Sequence, residues 1–345
     1  MSSRKEYLIS AIRDETFSDI YMVDFNDGIS TILEEFFPNV GKIYIVDSKV
    51  RVHHDEKLDF DESFPVFVNE KMKSLDSVYE LYSYIYQRYD EKGVIVAIGG
   101  GSLIDLVGFT VNTFGKELKL VLIPTTLGSQ LLPFIDGKFC INFDRKKDIL
   151  SVKAMPDLIL IDPKFTLSQD TRYLRHDLSI ALSTGLTCED RFYSFVKNNL
   201  RKLNRNRLPE ILKDVIEHNI RLRMKNRGKQ FLGEKIASIL QDASKLMISY
   251  SQALGFGILM EMLVSLEMGF TRYEMYEGVK TAVKSVTKIG RLQVDLQSFF
   301  ASLGGKYNMR IPFLLKPGRI IYEEIPRGVV IEIIKKFIIE SIYEF

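Results

Sequence analysis

Five short runs rich in valine and isoleucine constrain the fold of this chain more than any other feature of its sequence. Each is four to six residues long, which is typical of strands buried on both faces of a parallel sheet. Between the second and third runs, residues 74–89 space their apolar side chains like one face of a helix. Strands that alternate with helices predict a doubly wound α/β sheet. The runs are 42–47, 64–68, 93–98, 118–123 and 158–161.

After about Asp162 the pattern changes to long helical periodicities. Only residues 311–315 and 320–322 interrupt it, as two short apolar runs that could pair in a hairpin. We therefore predict an α/β domain over 1–163 and a mostly α-helical domain over 164–345. The helical stretches are 208–224, 235–249, 255–268, 276–288 and 329–343.

Charge and cysteine content exclude several classes of function. The chain has 47 basic and 45 acidic residues and a net charge of +2, which gives no nucleic-acid or membrane signature. No uncharged apolar run reaches the roughly 18 residues of a membrane span, and residues 1–15 do not resemble a signal peptide. The two cysteines form no CxxC pair. We expect a cytoplasmic protein with no nucleic-acid or membrane partner.

A glycine-rich segment follows the third run and leads into an apolar helix. Glycines there let the backbone approach a ligand, and the start of the helix offers free N–H groups to a phosphate. The segment is not the GxGxxG fingerprint, and strand-to-helix turns also use glycine for steric reasons alone. The residues are Gly99, Gly100, Gly101, Ser102 and Asp105.

Read with its flanks, this segment resembles the 3-dehydroquinate synthase family. Residues 99–109 read GGGSLIDLVGF against the family's GGGxxxDLxGF, and PTTL at 124–127 matches its PTTLLAQ. Gly137-Lys138, Ile141-Asn142 and Lys147 follow in the order of the family's GGK, GIN and GKN. Upstream, residues 69–75 are similar to its GExxKSL.

The resemblance implies an NAD-binding sheet and a set of site residues. It assigns cofactor contacts to Asp47, Glu70, Lys73, Gly99, Gly100, Gly101, Ser102, Asp105, Thr125, Thr126, Lys138 and Lys147. It assigns substrate and catalytic contacts to Lys138, Asn142, Lys147, Lys116 and Arg223, of which Lys116 matches a phosphate-binding arginine and Arg223 a lysine. It further implies a phosphorylated small-molecule substrate, a homodimer, and closure of a heptulosonate or heptulose phosphate into a carbocycle.

The chain departs from the family at the divalent metal. Ile180, Glu234 and Tyr250 stand where the family has one glutamate and two histidines as ligands, usually to zinc. Because a zinc site needs three or four converging ligands, we predict no metal ligands in this chain, and binding of the family's divalent metal is doubtful.

Three functions stay open from the sequence. The first is a working sugar phosphate cyclase, similar to 3-dehydroquinate synthase, that has rebuilt or abandoned the metal. The second is a catalytically impaired relative that keeps the fold and serves as a cofactor-binding or interaction protein. The third is an NAD-dependent dehydrogenase of the same fold. The PTTL and GKxxIN context favours the first.

Overall fold

The computed structural model describes residues 8–13, 18–67, 69–88, 92–134, 137–144, 146–200, 208–245, 247–287, 294–304 and 308–343. The chain divides into two compact units. The first comprises residues 1–169 together with 208–217, and the second comprises 170–207 with 218–345. The predicted boundary after 163 lies six residues earlier, because the 3-10 turn Pro163–Ser168 buries Phe165 in the core of the first unit.

The strands of the first unit carry the predicted buried runs. Within the described residues, seven strands form one sheet in the order β1-β2-β9-β6-β5-β3-β4. All neighbours are parallel except the edge pair of β1 and β2. Strands β5, β6 and β9 are buried almost throughout, as an interior parallel sheet requires. The strands are β1 (Leu8–Ile12), β2 (Asp19–Val23), β3 (Lys42–Asp47), β4 (Phe64–Val66), β5 (Gly93–Gly99), β6 (Leu118–Pro124) and β9 (Leu158–Ile161).

The helices of the first unit connect these strands. Their apolar faces follow the predicted periodicity, and Val78, Leu81 and Ile85 form the buried side of α3. The helices are α1 (Ile29–Phe36), α2 (Ser48–His53), α3 (Leu75–Arg88), α4 (Gly101–Thr113) and α5 (Leu127–Leu131).

An antiparallel hairpin packs on α4 beside this sheet. It pairs β7 (Lys138–Phe143) with β8 (Lys146–Lys153). Gly108 lies where the ring of Phe139 crosses α4, and a Cβ at Gly108 would overlap that ring. The absence of a side chain at Gly108 therefore brings the hairpin close to the helix.

The second unit is mostly helical, as predicted. Its one described hairpin pairs β10 (Met309–Lys316) with β11 (Arg319–Ile325), which confirms the predicted strand pairing. The helices are α6 (Thr171–Cys188), α7 (Asp190–Asn199), α9 (Glu234–Ala243), α10 (Tyr250–Glu267), α11 (Tyr273–Val286), α12 (Leu296–Leu303) and α13 (Arg327–Tyr343). Helix α8 (Leu208–Lys225) contributes its first ten residues to the first unit and the rest to the second.

The predicted doubly wound sheet followed by a helical domain is confirmed. No helix among the described residues has the length and apolar character needed to cross a membrane.

Candidate functional site

The carboxyl ends of β3 and β5 form the switch point of the sheet. The chain leaves β3 through α2 toward β4 on one side, and leaves β5 through α4 toward β6 on the other. Doubly wound sheets bind ligands in the crevice that such a reversal opens. The predicted residues Asp47, Gly99, Gly100 and Gly101 all lie here.

Close packing explains the first two glycines but not the third. A Cβ on Gly99 would stand 3.1 Å from Cβ of Leu103 and 3.2 Å from Cβ of Asp47, and one on Gly100 would stand 3.1 Å from Cγ2 of Thr126. Gly101 is exposed and begins α4, and a Cβ on it would have no atom of another residue within 4 Å outside the neighbouring backbone. The start of α4 is therefore open, with its first N–H groups lacking intrahelical acceptors.

Asp47 and Thr126 cap the helices that flank this opening. Oδ1 of Asp47 accepts a hydrogen bond from the Lys49 backbone N–H at 3.0 Å, and burial raises the pKa of this carboxyl. Thr126 caps α5 in a reciprocal capping box with Ser129. The neighbouring Thr125 is buried, and its N–H donates to the carbonyl of Gly99 at 3.0 Å.

Lys73 is a buried cation surrounded by three carboxylates. Its Nζ lies 2.7 Å from Oδ2 of Asp105, 2.8 Å from Oδ1 of Asp148 and 3.4 Å from Oε1 of Glu70, and the residue is only 1% exposed. We call these four residues the Lys73 cluster. The structure thus brings together the predicted residues Glu70, Lys73 and Asp105, with the ammonium of Lys73 directed at protein carboxylates.

The charges of the Lys73 cluster are strongly coupled. Burial by itself lowers the pKa of Lys73, but the three carboxylates outweigh it and raise the pKa above its ordinary value. Loss of hydration raises the pKa of Asp105, against the attraction of Lys73. Lys73 therefore keeps its charge and serves to position the carboxylates.

Asn142 ties the hairpin to this cluster. Its Nδ2 donates to the carbonyl oxygen of Glu70 at 2.7 Å, its backbone N–H donates to the carbonyl of Lys73 at 2.7 Å, and its Oδ1 accepts from the N–H of Asp148 at 3.0 Å. Ser102 adds a hydrogen bond from its Oγ to Oε2 of Glu70 at 2.8 Å. The predicted residues Asn142 and Ser102 thus belong to one network.

Sequence reasoning missed Asp148. It directly follows Lys147, at the position of the asparagine in the family's GKN, and its backbone has φ +54°, which short polar side chains tolerate. Its place in this motif was the sequence signal that could have identified Asp148 as a site residue. Lys147 itself is half-buried, and its Nζ lies 3.8 Å from Oδ2 of Asp148.

Two other predicted lysines lie apart from these contacts. Lys138 is exposed at the first residue of β7. Lys116 is exposed just before β6, at the amino ends of the parallel strands, whereas Gly99 ends β5 at their carboxyl ends. The structure therefore does not bring Lys116 together with the switch-point residues.

The second unit holds a separate cluster around Arg223. Arg223 Nη1 donates to Oε1 of Glu234 at 2.7 Å, and Nε donates to Oγ1 of Thr184 at 2.8 Å. The guanidinium lies 3.9 Å from the ring centroid of Phe231. Tyr250 donates its hydroxyl to the same Oε1 of Glu234 at 3.3 Å. Glu234 and Tyr250, matched to two metal ligands of the family, thus do meet.

Glu261 is a fully buried carboxyl behind Glu234, and sequence reasoning gave it no role. It accepts hydrogen bonds from the backbone N–H groups of Gly233 and Ile236 at the start of α9. Burial raises its pKa to about 8, against those two hydrogen bonds. Glu261 therefore holds a proton at neutral pH.

The residues at the three metal-ligand positions do not fit a metal ion. Ile180 is buried at 1% exposure and offers no ligand atom, while Glu234 is ion-paired with Arg223. Across the part of the chain that the structure describes, no group of three or more His, Cys, Asp and Glu side chains is arranged to hold a metal.

Comparisons with known proteins agree with the sequence resemblance. The family model described as 3-dehydroquinate synthase N-terminal matches residues 63–176. The 3-dehydroquinate synthase of Pyrobaculum aerophilum is 25% identical over 276 residues, which cover 74% of this chain and 79% of that protein.

Two solved structures share the fold. ValA, the 2-epi-5-epi-valiolone synthase of Streptomyces hygroscopicus with NAD⁺ and Zn²⁺ bound, has a TM-score of 0.79 at 16% identity, over 95% of this chain and 98% of its own. A 2-deoxy-scyllo-inosose synthase complexed with carbaglucose-6-phosphate, NAD⁺ and Co²⁺ has a TM-score of 0.79 at 17% identity, over 92% and 96%.

Replacing the charge of Lys73 tests the Lys73 cluster. We expect Lys73→Met to lower the free energy of unfolding at pH 7 by about 2–3 kcal/mol, because three partly exposed carboxylates lose their shared cation. The loss should shrink toward pH 5, where the carboxylates of the folded variant take up protons more readily than those of the unfolded chain. Urea unfolding at both pH values measures this. Lys146→Met, at an exposed lysine of the β7–β8 hairpin, is the control, and equal losses in the two variants contradict the assignment.

The raised pKa of Glu261 predicts that the stability of the protein depends on pH. Its folded pKa lies above that of the unfolded chain, so the folded state holds a proton that the unfolded state releases. Stability should therefore fall as the pH rises from about 5 to about 8, at roughly 1 kcal/mol per pH unit from this group. Thermal or urea unfolding across that range should show a flatter profile for Glu261→Gln. Identical slopes in the two proteins would show that Glu261 is already ionised when folded.

Proposed function

We propose that this chain is a member of the 3-dehydroquinate synthase family, and that it is a cytoplasmic, NAD-binding enzyme of the sugar phosphate cyclase type that works without the family's divalent metal. Its proposed substrate is a heptulosonate or heptulose phosphate, as in 3-dehydroquinate synthesis. The observation that carries the proposal is the open start of α4 at the switch point, beside Asp47 and Gly99.

A dinucleotide fits the chemistry of this opening. The pyrophosphate would lie against the backbone of Gly100, Gly101 and Ser102, where the N–H groups and dipole of α4 favour negative charge. Asp47, at the end of the neighbouring strand, would accept hydrogen bonds from ribose hydroxyls. These residues support NAD as the cofactor.

The Lys73 cluster supports a hydroxyl-rich substrate. Held by Asp47 and the backbone of Gly100, Gly101 and Ser102, NAD would supply reversible hydride transfer. The chain's own residues would orient that substrate: the carboxylates of Glu70, Asp105 and Asp148 accept hydrogen bonds from hydroxyls, and Lys147 pairs with a phosphate. Lys73 holds the three carboxylates in place throughout. The phosphorylated substrate and the homodimer remain predictions from the resemblance.

A second candidate is the catalytically impaired relative. The observation in its favour is the loss of all three metal-ligand types at Ile180, Glu234 and Tyr250. Such a protein would still bind NAD at α4 without turning over a sugar phosphate. The third candidate, a dehydrogenase, would accumulate NADH without releasing phosphate.

Blocking the start of α4 tests the cofactor site. We expect Gly101→Leu to fold normally, because no atom lies near the added side chain, and to weaken NAD binding at least about tenfold by covering the helix N-terminus. Isothermal titration calorimetry with NAD measures the affinity. Gly278→Leu, at a second open glycine on α11, is the control. Unaltered affinity in Gly101→Leu, or no NAD binding by the parent protein at millimolar concentration, rejects this site.

Turnover distinguishes the three candidates. With NAD and a heptulosonate phosphate, the proposed enzyme should release phosphate without net NADH, and chelation with EDTA should leave the rate unchanged. Lys147→Ala should lower the rate, whereas Lys146→Ala should not, because an exposed lysine is screened and hydrated. NADH accumulation without phosphate favours the dehydrogenase, and NAD binding without any product favours the impaired relative. Loss of activity on chelation would contradict metal independence.

A further inference from the structure

Arg223 is a buried cation whose hydrogen-bonding capacity is only partly used. Nε and Nη1 donate to Thr184 and Glu234, and the residue is 5% exposed. Nη2 is buried as well, and it has no hydrogen-bond partner within the described residues. Buried donors in folded proteins are nearly always paired, and an unpaired one on a charged group is costly. The vacant donor therefore indicates that an acceptor binds there.

The position of Arg223 identifies what this cation replaces. It contacts Glu234 directly, and Glu234 in turn accepts from Tyr250, so both residues at former histidine positions lie within its network. On α6, Thr184 follows Ile180 by one helical turn and donates to its carbonyl oxygen at 2.9 Å. Arg223 therefore contacts one of the three positions that hold the metal in the family, and it is connected to Tyr250 through Glu234 and to the backbone of Ile180 through Thr184.

We propose that the guanidinium of Arg223 is a permanent cationic centre in the place of the divalent metal. It excludes a metal ion from this position and offers Nη2 to an oxygen atom of the substrate. The contact of Nη2 with the substrate rests on the proposed function, whereas the exclusion of a metal ion concerns this chain alone.

Glu234 shows why the two cations exclude each other. Its Oε1 already accepts from Arg223 and Tyr250, and its Oε2 accepts from the Phe231 N–H at 3.1 Å. A metal ion would have to break the ion pair and would then lie next to an uncompensated guanidinium, which repels it strongly in a partly buried site. Arginine cannot escape this repulsion by losing a proton.

Zinc binding tests the exclusion directly. Ile180→Glu, Glu234→His and Tyr250→His together restore the three ligand types. We expect this triple variant to bind zinc at least about tenfold more tightly when Arg223→Gln is added, because the repelling charge is gone. Competition with a chromophoric chelator measures both affinities. The single change Glu234→His in the same two backgrounds provides the comparison if the triple variant does not fold.

Two results would overturn the exclusion. One is equal zinc affinity with and without Arg223. The other is one dialysis-resistant zinc per chain in the unaltered protein, measured by elemental analysis.

Binding of a heptulosonate phosphate to the NAD-loaded protein tests the role of Nη2. We expect Arg223→Gln to weaken binding of this probe about ten- to hundredfold, as for loss of a charge-assisted hydrogen bond, and to leave NAD affinity unchanged. Arg223→Lys should retain part of the affinity. Arg221→Gln, at an exposed arginine two residues earlier on α8, is the matched control.

The outcomes separate this inference from the proposed function. Equal probe affinity in Arg223→Gln and Arg221→Gln shows that Nη2 makes no substrate contact. If the unaltered protein binds NAD but not the probe, then the proposed substrate and its contact with Nη2 are both wrong. The zinc comparison then still decides whether Arg223 replaces the metal.

Discussion

A buried ammonium group organises the carboxyl end of the sheet. Nζ of Lys73 contacts carboxylates from the turn before α3, from α4 and from β8, so one charge joins three separate segments. Without it, three carboxylates would have to share a partly dry site, and at least one would take up a proton. With it, they remain acceptors beside the opening of α4. The geometry of the candidate site in the first unit therefore depends on this single lysine.

Each of the two units contains a buried cation, but the ratio of hydrogen-bond donors to acceptors around that cation is opposite in the two. Around Lys73, one cation serves three carboxylates, so every donor of the ammonium has an acceptor and the surplus is negative. Around Arg223, one carboxylate and one threonine serve five N–H donors, so the surplus is donor capacity. The first arrangement suits ligands that donate hydrogen bonds, such as hydroxyls. The second suits an oxygen that accepts them.

The sequence predicts the sheet well because its interior strands are short apolar runs rich in valine and isoleucine, which are typical of strands buried on both faces. Strand β1 escaped prediction because it lies at the antiparallel edge of the sheet and is only partly buried, and the polar stretch of β8 reads as a loop until it pairs with β7. Strand β2 was also missed, although it is buried from Ile20 to Val23 and pairs with β9. The glycine segment located the switch point correctly. The ion pairs of Asp148 with Lys73 and of Arg223 with Glu234 were missed, because these contacts depend on tertiary packing. They produce no periodic pattern in the sequence.

Replacing a metal by a guanidinium changes what the site can do. Zinc acts as a Lewis acid and lowers the pKa of a bound water or hydroxyl, whereas a guanidinium supplies only fixed charge and hydrogen bonds. A guanidinium also cannot accept a proton from a bound hydroxyl. Glu234 accepts hydrogen bonds from three donors and Glu261 already holds a proton at neutral pH, so neither is a ready base.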